Sequence, residues 1–510
     1  MHPHRLALLA TLCALPGWEL GAQPVTAGAF ERENNAWPFF VDRREPSVGN
    51  PQVRSGAGPL VFRNPSPALK GGTASGFRPF WVQINEAGGD LRAGYILYPL
   101  FSYTQDDRSY KWSLFELVRK QGARPGQPAP ASAFEGRTQF EVFPFWFSRV
   151  SDDPDVAYRA FFPFHGTVRN RLGFDRLSWT LFPFYAVNEK SGTVTTSTPW
   201  PIVRTTRGAA QGRSIWPFYG TLERPGVSSS AFYLWPFGFT ATRQPSPDDP
   251  PGTAPWHDFG VLPFYASRTG PGFVSKSYAW PFFGYTERTE PVRYSETRYF
   301  WPFFVQGRGD SRQVNRWAPF FTHSIVKGYE KHWLAWPLLR RAQWTDEGVD
   351  RARTQLLYFL YWHERQTAAG RTHSPAADLV HVWPFMSAWD NGAGRRQWQL
   401  LSPLEVFFPG NAKVRQVWSP LFAVARHDQR APGNTRTSLL WDLVTWEHIQ
   451  SEGHAEFHLG PLLGVTRSGQ GRRVAFGRGL FGFQHSPERG WRPFWLAFPA
   501  RRLETSQPSP

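Results

Sequence analysis

Tyr278-Ala279-Trp280-Pro281-Phe282-Phe283 is the stretch on which the reading of this chain turns. Its kernel, an aromatic or aliphatic residue, Pro, then Phe or Leu, recurs as Trp216-Pro217-Phe218, Trp235-Pro236-Phe237 and Trp301-Pro302-Phe303. Phe replaces Trp in Phe143-Pro144-Phe145, Phe162-Pro163-Phe164 and Phe182-Pro183-Phe184. Prolines at 144, 163, 183, 201, 217, 236, 263, 281, 302, 319 and 337 are mostly 16 to 21 residues apart. Like units at a regular period pair or stack into one architecture, so the period outranks any local motif.

Apolar and polar residues alternate through the prolines. Val156, Tyr158, Ala160, Phe162, Phe164, Gly166 and Val168 fall on one face of a run, and Leu177, Trp179, Leu181, Pro183, Tyr185 and Val187 on one face of the next. A period of two is the pattern of a half-buried strand, while the frequent Pro excludes helices. Turn residues cluster between copies, as in Asn188-Glu189-Lys190-Ser191-Gly192 and Arg268-Thr269-Gly270-Pro271-Gly272.

Two architectures follow. With Pro inside a strand, each unit is one span of about 12 to 14 residues, about 40 to 45 Å long, which crosses a bilayer when tilted. With Pro at a chain reversal, each unit is a hairpin of strands about 7 residues long, and the fold is a soluble β-propeller or other β-repeat. Pro removes a ladder donor, which counts against the first; aromatic turn tips exposed to water count against the second. The long loops Gln121–Ala133, Thr205–Gly212, Arg243–Trp256 and Gln366–Ala377 fall on turns of one parity, the asymmetry of membrane barrels, with Arg426–Arg436 as an exception.

The sequence therefore predicts an all-β fold, a large antiparallel up-and-down β-barrel of about 20 to 24 strands built from repeats of about 19 residues. Residues 134–500 form the regular array, which continues the same barrel from an irregular region with the first strands at 23–133, and 501–510 form a tail. Met1 to Arg5 is weakly basic, Leu6 to Leu15 apolar, and Gly21 and Ala22 small, so residues 1–22 read as a signal peptide. The single cysteine, Cys13, lies inside that segment, which leaves the exported chain without disulfides. The expected location is the outer membrane of a Gram-negative bacterium, with periplasm or secretion as the alternative.

No catalytic constellation is present, and no enzyme activity, cofactor or metal is expected. Histidines are scattered singly at 165, 257, 323, 332, 363, 373, 381 and 427. His454 and His458 have the spacing of a helical metal pair, but on a strand that interval separates them by about 13 Å. Arg308-Gly309-Asp310 reads as a tight turn. The formal charge of +17 favours anions by electrostatic focusing. The expected function is a passive channel or translocation pore, anion-leaning, or an envelope structural element, with Arg159, Arg298 and Arg316 as attractive charges. Membrane lipids are its expected partners, with anionic solutes or lipopolysaccharide, and no nucleic acid. The Trp-Pro-Phe triplets at 216–218, 235–237, 280–282 and 301–303 are assigned to structure. The alternative is a soluble periplasmic or secreted β-repeat protein that binds carbohydrate or another polymer through its aromatic residues.

Overall fold

The structure, a computed structural model, describes residues 31–44, 52–66, 69–124, 138–371 and 374–499. The signal-like segment, Cys13 and the C-terminal tail lie outside the described residues. The chain divides into two compact units, one of Met1–Pro65, Gly394–Ser402 and Lys413–Pro510, the other of Ser66–Ala393 and Pro403–Ala412.

Each of the eleven prolines from 144 to 337 named above sits at a chain reversal. Val156 to Val168 is a hairpin of the strands Tyr158–Phe161 and His165–Arg171, with Phe162-Pro163-Phe164 as its turn. Asp175 to Val187 is likewise divided, into Phe174–Thr180 and Tyr185–Lys190. The turn at Phe143-Pro144-Phe145 closes with the Phe145 N–H donating to the Val142 carbonyl at 2.7 Å, and the Phe143–Pro144 bond is cis, as in a type VI turn. Pro there occupies a place where no ladder donor is needed, so the objection to Pro within a strand disappears. The turns are also linked to each other: Phe162 N–H donates to the Phe145 carbonyl at 2.7 Å, and Trp235 N–H to the Pro217 carbonyl at 2.6 Å. The sheet's hydrogen bonding thus continues along the row of turns.

This geometry overturns the barrel. The described residues form 45 strands, from 4 residues, as in Glu33–Ala36, to 8, as in Leu339–Asp346. A membrane-spanning strand needs about 9 to 11 residues. In the unit of 66–393, each described pairing from Thr73–Phe77 to Met386–Asp390 joins antiparallel neighbours in sequence, and none closes the run on itself. The fold is an antiparallel β-repeat with an unclosed sheet. The pore has no wall without spanning strands, and the outer-membrane location, the lipid and lipopolysaccharide partners and the lumen attracting anionic solutes fall with it. No helix among the described residues is long and apolar enough to cross a membrane. The expected alternation of long and short loops falls as well, since most of Thr205–Gly212 is strand, in Val203–Gly208 and Gln211–Ile215. Once each unit is a hairpin, all the loops between units lie at one end of the strands and all the Pro turns at the other.

One residue row of the inner face of 66–393 runs close to the Pro turns. It runs across the strands through Phe147, Ala160, Gly166, Trp179, Ala186 and Ser197, each directly opposite the next. Trp179 stands between Gly166 and Ala186, and Phe147 beside Ala160, so each ring has a small neighbour that makes room for it. Further along, Phe232 and Phe239 are paired and flanked by Gly220 and Gly260. A Cβ on Gly260 would lie 2.3 Å from Cε1 of Phe239, and one on Gly220 would lie 2.3 Å from Cε1 of Phe232.

The other unit has a polar core. Arg436, Glu447, Glu456, Thr466, Arg473 and Gln484 stand opposite one another across successive strands, and all are buried. The N-terminal strand Glu33–Ala36 is tied to this row by its polar groups. Glu33 accepts from Arg436 Nη2 at 2.9 Å and from Thr445 Oγ1 at 2.6 Å. Glu456 accepts four hydrogen bonds: from the backbone N–H groups of Arg32 and Glu33, and from Nε2 of His454 and His458. Burial opposes ionisation of Glu456, but the two histidines outweigh it and hold its pKa at about 2. For His458, burial disfavours the cation, and the Glu456 hydrogen bond and charge, with Glu33 and Glu31 nearby, raise its pKa to about 9.

Candidate functional site

The surface of 66–393 most in need of a partner lies beside the Pro turns. On the outer face, the row next to those turns is aromatic or aliphatic over long stretches. Ile215, Tyr219 and Tyr233 stand opposite one another across three strands, and Val261, Tyr265, Tyr278 and Phe283 across four. Phe304, Trp317, Phe321 and Leu334 continue the pattern. Ring centroids are 5.3 Å apart for Tyr219 and Tyr233, and 5.5 Å for both Tyr265–Tyr278 and Phe304–Trp317. These side chains remain exposed or half-exposed.

The turns extend this band over the rim. In each triplet the residue after Pro projects into solvent: Phe184 is 71% exposed, Phe264 73% and Phe320 70%. In the hairpins at 143–145, 162–164 and 181–184 the residue before Pro turns the other way. Phe143, Phe162, Phe182 and Trp200 line a cavity of about 420 Å³ with Phe147 and Trp179 of the inner row. Phe162 lies 5.9 Å from Trp179 and 5.2 Å from Phe182, and Phe182 lies 5.2 Å from Trp200. Arg171 borders the cavity, held in a two-pronged ion pair with Glu141, its guanidinium 5.1 Å from the Phe147 ring centroid. At 162–164 and 181–184 the Pro turn thus places one ring against the inner row and one in solvent, whereas Trp235, Trp280 and Trp301 before their prolines are themselves exposed.

No family model matches this sequence, and no curated protein matches it.

The triplets at 216–218, 235–237, 280–282 and 301–303 all form such turns. Trp216 and Trp235 lie 5.9 Å apart, and Phe282 stacks on Phe300 at 5.0 Å. The three arginines are divided between faces. Arg159 is exposed and lies between buried Tyr158 and Ala160 in sequence, so it points outward. Arg298 and Arg316 both stand opposite Val305 on the inner row. Arg298 Nη2 donates to the carbonyls of Lys276 and Tyr285 at 3.0 and 2.9 Å, and Arg316 Nη1 donates to the Pro302 carbonyl at 3.2 Å. Near Arg316, burial and the charges of Arg340 and Arg316 hold the Lys331 amine below its usual pKa.

His454 and His458 lie on one face, as their spacing requires, but Nε2 of each is engaged by the intervening Glu456. The tyrosine pairs of the outer row were not singled out from the sequence. Hairpin pairing could have found them: a turn placed at Pro225-Gly226-Val227 pairs Arg224 with Ser228 and so brings Tyr219 beside Tyr233.

Proposed function

We propose that this protein binds an extended polymer with apolar faces, a polysaccharide, along the aromatic band, as a non-catalytic β-repeat protein acting in an aqueous compartment outside the cytoplasm. The carrying observation is the run of exposed rings at the Pro-turn end of 66–393, renewed in hairpin after hairpin. An exposed apolar surface of this extent marks an interaction site. Successive hairpins repeat at about 9.6 Å, twice the strand spacing, so ring faces recur at a regular interval suited to a ligand that is itself periodic. Flat rings stack on the apolar faces of sugars, and hydroxyls such as those of Tyr219 and Tyr233 offer hydrogen bonds at the edges. The signal-like N-terminal residues support export.

The test is retention of the purified chain on a panel of neutral polysaccharides, in detergent-free buffer, with tryptophan fluorescence as a second readout. Retention is expected on at least one polymer. Replacing Tyr219, Tyr233, Tyr265 and Tyr278 with Ala should abolish it while far-UV circular dichroism is unchanged. Absence of retention across the panel, or undiminished retention by the variant, overturns the reading.

A further inference from the structure

One hairpin of 66–393 carries a group that the aromatic band does not use. The strands Phe321–Val326 and Tyr329–Leu334 are joined by Lys327 and Gly328, whose φ values of 49° and 78° are those of a two-residue turn matched to the strand twist. That turn sets His323 directly opposite His332. Their rings stack with centroids 4.1 Å apart and planes 9° from parallel. Glu330 precedes His332 by two residues and so shares its face. Nε2 of each histidine lies 2.9 Å from the same oxygen, Oε1 of Glu330. Thr322 and Ser324, either side of His323, are buried on the inner face, so the three side chains stand on the outer face, partly exposed.

We propose that His323, Glu330 and His332 form a binding site for a divalent cation of the zinc class. Their ligand atoms all lie within 4.8 Å of one another, and they are the one group of three such side chains found among the described residues. Two imidazole nitrogens and one carboxylate oxygen suit zinc, or copper and nickel in competition; magnesium and calcium want mostly oxygen ligands. Three protein ligands leave the fourth tetrahedral position open to solvent. Without the ion, each Nε2 carries a hydrogen and donates it to Glu330. On binding, each ring's hydrogen is relocated through solvent to Nδ1, and the freed Nε2 lone pair turns to the metal. The histidine hydrogen bonds lower the Glu330 pKa, keeping the carboxylate ionised as a ligand must be. Asn315 stands opposite His323 and Arg341 opposite His332; the arginine's charge weakens the site without blocking it.

The experiment is calorimetric titration of the full chain, free of any affinity tag, with zinc chloride, and cobalt(II) absorption as a geometric probe. One zinc per chain and the visible bands of four-coordinate cobalt are expected. Removing a second-shell partner commonly weakens metal binding about 10- to 100-fold, so His332→Ala and Glu330→Gln, which remove ligands, should cost at least about tenfold. Glu330→Gln keeps the side chain's shape, so a folding failure of His332→Ala would not decide the matter. His363→Ala serves as control, because His363 is paired instead with Asp378 at 3.1 Å. Its zinc affinity should be unchanged. No zinc binding, equal binding by Glu330→Gln, or magnesium binding as tight as zinc overturns the site.

Discussion

Nε2 of His458 lies 2.7 Å from Oε1 of Glu456, two residues away on the same strand, and both side chains are buried. A charged pair in that setting must carry its own compensation, and here it comes from His454 and from two backbone N–H groups of the N-terminal segment.

This pair makes stability depend on pH in two directions. Glu456, held at about 2 against an ordinary 4.5, contributes stability that is present above pH 4.5 and lost as the pH falls towards 2. His458, held at about 9 against an ordinary 6.5, contributes stability that is full below pH 6.5 and lost as the pH rises through 9. Urea midpoints should therefore be highest between pH 4.5 and 6.5 from these groups, and Glu456→Gln should flatten both limbs. A wild-type profile that Glu456→Gln leaves unchanged would refute the assignment.

Glu33 and Arg436 form the second buried pair, at 2.9 Å. Glu33→Ala leaves Arg436 its other ion pair, with Asp442 at 2.9 Å, but takes away the acceptor of Thr445 Oγ1, so it is expected to cost about 1 to 3 kcal/mol in urea unfolding. Arg436→Met removes the partner of Glu33 and of Asp442 together and is expected to cost more, about 3 to 5 kcal/mol. If Arg436→Met costs no more than Glu33→Ala, the pair is not what holds this strand.

Gly260 tests the packing of the inner row. Its missing side chain leaves room for the Phe239 ring, so Gly260→Ala should destabilise by about 1 to 3 kcal/mol through overpacking. Gly88, where an added Cβ meets nothing within 4 Å, is the matched control and should tolerate Ala within about 0.5 kcal/mol. Equal effects on thermal midpoints would show that the close approach of ring and glycine has no energetic weight.

The strand character, the repeat and its turn-rich connections were legible in the sequence; the place of the proline was not. In a three-residue turn such as Phe162-Pro163-Phe164, Ala160 pairs with Gly166 and the alternation stays in phase, so a hairpin reads as one unbroken strand. In the four-residue turn Leu181-Phe182-Pro183-Phe184 the phase reverses, and Trp179 shares a face with Ala186 instead of Tyr185. That slip in phase was the available signal. The His323–His332 pairing was hidden for a related reason: nine residues separate them, and only a turn fixed at Lys327-Gly328 makes that interval a direct contact. Glu33 and Arg436 could not be joined by any local rule, since they are 403 positions apart.

Hydrogen bonds that pass from each proline turn to the next have a further consequence for how such a chain can change. A whole hairpin of 66–393 contacts its successor through the same kind of edge it presents to its predecessor, at the strands and at the turns alike. Excision or duplication of one hairpin would rejoin equivalent edges, so gene-level slippage can adjust the length of the aromatic track in whole steps and leave the remaining steps as they were.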